Sequence, residues 1–329
     1  MKTKLTIIMS AIISSLCIAN PAKERGYPYA EISNGVISAA VSVDTQSKYN
    51  YYRGQRFDWA GQIYSLTFKN HSYFGEWFYV EYDPYCHDAI CGPTDEFTQI
   101  GYENASAGGE FLKIGVGILQ KNENVPYSFR DSFVIVDAGK WDVSVSKNAI
   151  TYKQTLNSKI ASYIYTKTIE LVEGSPVMKI KYSLKNTGNT KIDTMVYNHN
   201  FFRLDNELTN PSISLQFAFE PKKIEAKLRL AEKISNLVKN KISFTRGFTM
   251  SDMVLYRNID GENKIENNDF KLENSRTGAA VRITGDRPLL KATFWACQKT
   301  YCIEPFVKID VPAGEEFTWS NSYEFYTTK

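Results

Sequence analysis

The sequence predicts an all-β chain of antiparallel sheets carrying one short helical insertion. Three observations lead there. Apolar and polar residues alternate over long stretches, turn residues fall between the alternating runs, and aromatic residues make up 14% of the 329 residues. Alternation at period two marks a half-buried antiparallel strand. Aromatic side chains fill such pleated surfaces and also stack on sugar faces. With 43% hydrophobic and 23% charged residues and a formal charge of +3, the balance is globular. It excludes a disordered chain and a strongly basic nucleic-acid binder.

In chain order, the N-terminus reads as a secretory signal. Lys2 and Lys4 precede an apolar run over 5–18, and Ala19 offers a small residue for cleavage. The run is short for a bilayer span and no second one follows, so no stable membrane insertion is expected after cleavage. Leu16 stands where a lipobox has a small residue, which argues against lipidation at Cys17. The expected organisation is a signal peptide over 1–19, a lead-in over 20–30 and one β-sandwich domain over 31–329, periplasmic or secreted. Without Lys2 and Lys4 the formal charge falls from +3 to +1.

The remaining cysteines form two pairs of equal spacing, Cys86 with Cys91 and Cys297 with Cys302. In an oxidising compartment an even count predicts disulfides, with three connectivities open. A zinc site is disfavoured, because zinc ribbons space their cysteines more closely.

The strands follow. Residues 177–184 place Met178, Ile180, Tyr182 and Leu184 on one face and Lys179, Lys181 and Ser183 on the other, and Asn186-Thr187-Gly188-Asn189 then turns the chain. Similar runs occupy 133–136, 150–156, 163–171, 212–219, 279–283 and 289–296. A last pair, 306–311 and 316–326, is joined by Pro312-Ala313-Gly314. Over 222–241 the period changes: Ile224, Leu228, Ala231, Ile234 and Val238 recur at steps of three and four, predicting an amphipathic helix. Seven Lys and Arg less two Glu give it a charge of +5. A solvated helix on the outside of a sandwich is the reading favoured over a membrane or partner contact.

No nucleophile elbow, zinc helix, P-loop or dinucleotide loop is present. The chemical hints are three histidines and one acid. His199 lies in Tyr197-Asn198-His199-Asn200-Phe201-Phe202, His87 between Cys86 and Cys91, and His71 in Asn70-His71-Ser72-Tyr73-Phe74. Glu304 lies among apolar residues in Cys302-Ile303-Glu304-Pro305-Phe306. A carboxylate there costs several kcal/mol unless it is compensated or used.

The order of these motifs resembles the galactose mutarotase-like (aldose 1-epimerase) family. Tyr52-Arg53-Gly54-Gln55-Arg56-Phe57 stands where that family has an early Arg stretch, and His87 where it has a His loop. Asn198-His199-Asn200-Phe201-Phe202 matches the central motif, Cys302-Ile303-Glu304 the late acid, and 311–325 the closing hairpin. His71 precedes the His loop and is set aside as a coincidence of letters. The resemblance implies a β-supersandwich and ring opening of a reducing mono- or oligosaccharide, with Glu304 as base and His199 as acid. It implies Arg56, Arg53, His87 and Trp295 as sugar-binding residues, and neither a metal nor an organic cofactor. A non-catalytic carbohydrate-binding accessory module is the alternative, because one fold hosts many functions. A polysaccharide-degrading enzyme with a Tyr or His base is a weaker third. Oligomeric state is left open.

Overall fold

A computed structural model describes residues 20–43, 50–78, 81–221, 225–226 and 231–329. The expected signal peptide, 1–19, lies outside the described residues.

The strands fall close to where alternation put them. The clearest run becomes Val177–Asn186, the next Tyr163–Leu171, and the closing pair Tyr301–Val311 and Glu316–Thr327. Every named pairing is antiparallel, as in Tyr163–Leu171 against Val177–Asn186, with Ile169 opposite Ile180. Two large sheets carry the architecture among the described residues. The first has ten strands in the order Ser235–Val238, Lys241–Phe244, Ile213–Phe217, Asp269–Asn274, Ala279–Gly285, Glu316–Thr327, Val177–Asn186, Tyr163–Leu171, Ala149–Leu156, Lys140–Val145. The second has six, in the order Glu225–Ala226, Met253–Lys264, Leu289–Cys297, Tyr301–Val311, Ile192–Phe201, Gly92–Phe97. A smaller sheet of four strands comes from residues 29–72 and one of three strands from residues 110–137.

The core lies between the two large sheets. Phe97 of the six-stranded sheet meets Tyr165 and Trp319 of the ten-stranded sheet edge-on, at 5.4 and 6.2 Å between ring centroids. The same interface holds a buried ionic network. Lys167 Nζ lies 2.7 Å from Asp95 and 3.2 Å from Asp58, all three essentially without solvent contact. Tyr182 donates to Asp95 and Tyr165 to Asp58. Tyr323 donates to the side-chain oxygens of Asn198 and Asn200. A buried charge persists only when paired and hydrogen-bonded, and here each is. Alternation along Ile192–Phe201 sends Asn198 and Asn200 into this core and Tyr197, His199 and Phe201 to the opposite face, where the cleft opens.

Gly92 shows how tightly the six-stranded sheet meets the N-terminal sheet. Its φ is +71°, and a Cβ there would meet the Ile63 carbonyl oxygen at 2.6 Å. Only glycine satisfies both conditions.

Two expectations are corrected. Within the described part of 222–241, helix is confined to Ala231–Ile234, and Ser235–Val238 is a strand paired with Lys241–Phe244. Val238, placed on the apolar face of the expected helix, is 65% exposed at the sheet edge. A sheet edge here offers hydrogen bonds to a stretch ending in β-strand-favouring residues, and tertiary pairing overrides the helical period. A short helix not foreseen, Pro21–Arg25, is capped by Asn20 and ended by Gly26. The four described cysteines, Cys86, Cys91, Cys297 and Cys302, are free thiols rather than disulfides. Trp295, not Cys297, stands opposite Cys302, so the two cysteines are diagonal neighbours. Such diagonal neighbours are about 7–8 Å apart at the backbone, past the usual reach of a disulfide. Cys91 is fully buried, with its sulfur 3.5 Å from the Tyr51 hydroxyl. Among the described residues no helix is long and apolar enough to cross a membrane.

Candidate active site

Two cross-strand neighbours form the chemical centre. The pairing of Ile192–Phe201 with Tyr301–Val311, fixed by Tyr197 opposite Phe306, carries His199 beside Glu304. Glu304 Oε1 lies 3.2 Å from His199 Nε2, and their side chains are 9% and 4% exposed. The register is locked from behind, where Asn200 donates its side-chain amide to the Ile303 carbonyl at 2.8 Å. The imidazole stacks on Phe201, centroids 3.9 Å apart, with the edge of Phe57 at 5.5 Å.

Burial sets the protonation of this pair. It pushes the Glu304 carboxyl up to about 8, with Arg56 and Arg257 pulling against it and Glu96 pushing with it. Burial, helped by Arg56, drives the imidazole well below its ordinary range. Near neutral pH the pair therefore shares one proton, resting on Glu304. His199 Nδ1 is buried and has no hydrogen-bond partner. With the Glu304 proton facing Nε2, the neutral imidazole carries its own N–H on this Nδ1.

Around the pair lies a cleft of about 480 Å³, the size range of small-ligand sites. Trp295 lines it, as expected, edge-on to His199 at 6.1 Å and to Trp77 at 5.4 Å. Arg56 lines it too. Its guanidinium is held at 2.7 Å by Asp88 and 2.8 Å by Glu96, with its centre 4.0 Å from the Phe129 ring centroid. Glu96 in turn accepts from Tyr197 and lies 3.5 Å from buried Lys113.

The other expected residues stand further back. His87 is one step behind the cleft: its Nε2 lies 3.0 Å from the Asp88 carboxylate that holds Arg56. Arg53 does not line the cleft; its guanidinium covers the Trp59 ring at 3.8 Å. His71 pairs with Asp205 at 3.0 Å, away from the cleft. Sequence reasoning missed Trp77, Asp88, Phe129 and Lys291, all of which line it. Asp88 directly follows His87 and Lys291 lies within the run 289–296, so both carried a faint signal. Trp77 and Phe129 lie in irregular segments whose fold position no local pattern reveals.

No protein-family model and no curated protein matches the sequence. Solved structures do match the fold. A putative aldose 1-epimerase from Escherichia coli K12 superimposes with a TM-score of 0.51 at 12% identity, covering 91% of this chain and 99% of that one. A galactose mutarotase-like protein from Lactobacillus casei gives 0.53 at 13%, covering 91% and 100%. A GalM/aldose epimerase homologue from Caenorhabditis elegans gives 0.51 at 13%, covering 92% and 99%. At these identities the likeness establishes the fold, which is galactose mutarotase-like across nearly the whole described chain.

Proposed function

We propose that the chain binds a reducing sugar in this cleft and interconverts its anomers by acid–base ring opening. The observation that carries the reading is the buried His199–Glu304 pair, two proton-carrying groups 3.2 Å apart at the base of an aromatic cleft. A cyclic hemiacetal has two oxygens on one carbon, and opening it removes a proton from one and delivers a proton to the other. One shared proton on two adjacent groups suits that exchange, because the pair ends with as many protons as it began.

In the proposed roles the proton first passes from Glu304 to His199. The Glu304 carboxylate then takes the proton of the anomeric hydroxyl while His199 Nε2 gives its proton to the ring oxygen. The ring C–O bond breaks as the carbonyl forms. Rotation about the bond to the carbonyl carbon and the reverse transfers close the ring on the other face. Trp295 and Trp77 would stack on the sugar, and Arg56, oriented by Asp88 and Glu96, would hold its hydroxyls. His87 acts behind Arg56 as a positioning residue. Export through residues 1–19 to a periplasmic or secreted location belongs to this reading and is supported by the sequence of that segment.

A second reading, a carbohydrate-binding module without catalysis, draws on the same contact, since His199 and Glu304 bonded to each other could serve only to shape the cleft. Anomer exchange followed by NMR separates the two. On the proposed reading some reducing sugar exchanges faster than in buffer, and Glu304→Gln and His199→Asn each slow it by roughly 10²–10⁴-fold. Sugar binding with buffer-rate exchange would establish the module instead.

A further inference from the structure

The cleft is more cationic than a neutral sugar requires. Arg56, Arg130, Arg257 and Lys291 line it, against the acids Asp88 and Glu304. Arg56 is neutralised by Asp88 and Glu96. Arg130, Arg257 and Lys291 form no ion pair among the described side chains, although on neighbouring strands Glu225 stands in register with Arg257 and Asp260 with Lys291; Arg130 and Lys291 lie over the Phe129 and Phe306 rings, at 4.8 Å in each case. Glu304 holds its proton near neutral pH and offers them no compensating charge.

Their placement is ordered by the sheet. Thr293 stands opposite Glu304, and Lys291 opposite Phe306. One strand further out, Leu255 stands opposite Trp295, and Arg257, two residues on, reaches the same cleft. Moving from His199 to Glu304, Thr293 and Arg257 therefore crosses four neighbouring strands. Strands lie about 4.8 Å apart, which sets Arg257 about 10 Å from the Glu304 strand at the backbone. With side chains leaning inward, that interval fits a pyranose ring bearing an exocyclic charged group.

We infer that the site takes an acidic sugar, with its hemiacetal carbon at His199 and Glu304 and its anionic group, a carboxylate or an ester sulfate or phosphate, at Arg257 and Lys291. The position of the hemiacetal rests on the ring-opening reading; the anion pocket does not. Arg257 supplies the planar fork that matches an oxyanion bidentately, and Lys291 a point charge beside it. Arg257 and Arg130 are exposed, so their charge reaches into solvent and steers an anion inward.

Titration calorimetry on the wild-type chain tests this, because anomer exchange does not consume the sugar. The probes are galacturonate and glucuronate, the 6-sulfates and 6-phosphates of galactose and glucose, and the neutral parent sugars, with anomer exchange by NMR in parallel. At least one acidic class should bind about tenfold or more tightly than its neutral parent at low salt, and the advantage should shrink at 1 M salt. Arg257→Gln and Lys291→Gln should each cut that acid-over-neutral ratio by roughly fivefold or more. The ranking of carboxylate, sulfate and phosphate identifies the class. Neutral sugars binding as well as every acidic one, or a ratio untouched by both variants, overturns the inference. Acidic sugars that bind selectively but never exchange sink the ring-opening reading and leave the anion pocket standing. Neutral sugars that exchange while acidic ones fail to bind do the reverse.

Discussion

Replacing Glu304 with glutamine should make the protein more stable in mildly alkaline solution while removing its proposed chemistry. The folded carboxyl titrates at about 8, against 4.5 for the free group, because burial penalises its charge. Between those values the folded state holds a proton that the unfolded state has lost, so the contribution of Glu304 to stability declines as pH rises through this window. At 1.36 kcal/mol per pH unit the penalty is about 3 kcal/mol at pH 7 and has a ceiling of about 5 kcal/mol. Glutamine keeps the shape and a hydrogen bond toward His199 but has nothing to ionise. His199 contributes in the opposite sense, losing stability as pH falls below its unfolded pKa, and does so in both proteins, so it cancels to first order. Urea unfolding of both proteins at pH 5 and pH 8 measures the difference. The stability advantage of Glu304→Gln should grow by roughly 3–5 kcal/mol between the two pH values. Parallel pH curves would refute the reasoning, since they require a Glu304 carboxyl that ionises as easily folded as unfolded.

Lys167→Met leaves Asp58 and Asp95 as buried acids without their cation, and chemical unfolding at pH 7 should show a loss of about 3–5 kcal/mol that narrows at low pH, where both acids protonate. Arg53→Ala should cost about 1 kcal/mol of stability through lost stacking on Trp59, with sugar affinity by calorimetry changing less than twofold. Thiol labelling of the denatured, unreduced chain should modify Cys86, Cys91, Cys297 and Cys302 alike, read by intact mass; protected pairs would contradict the free thiols of the structure.

The strands were legible because burial on one face writes itself into every second residue. Residues 163–171 and 177–184 needed no tertiary knowledge for that reason. The stretch 222–241 misled because its period competes with a sheet edge supplied by residues 241–244, a contact no local window contains. Glu304 was visible as an acid in an apolar run. Lys167 carried the same signal, sharing the buried face of its strand with Tyr165 and Ile169, and locates the ionic core that backs the site. Arg53 and Arg56 were indistinguishable in sequence, three residues apart in an irregular segment. Only packing turns one onto Trp59 and the other into the cleft. Trp77, Phe129 and Arg130 were hidden for the same reason: their role is made by where the loops land.

Anomer exchange measured by NMR from pH 5 to pH 10, on the best-binding sugar, bears most directly on the shared-proton pair. A pair that works by passing one proton loses activity as that proton is lost, so exchange should fall above about pH 8 and be slowed roughly 10²–10⁴-fold in Glu304→Gln at lower pH. Exchange that persists undiminished to pH 10, or survives in Glu304→Gln with the same pH dependence, would contradict a catalytic role for the His199–Glu304 pair.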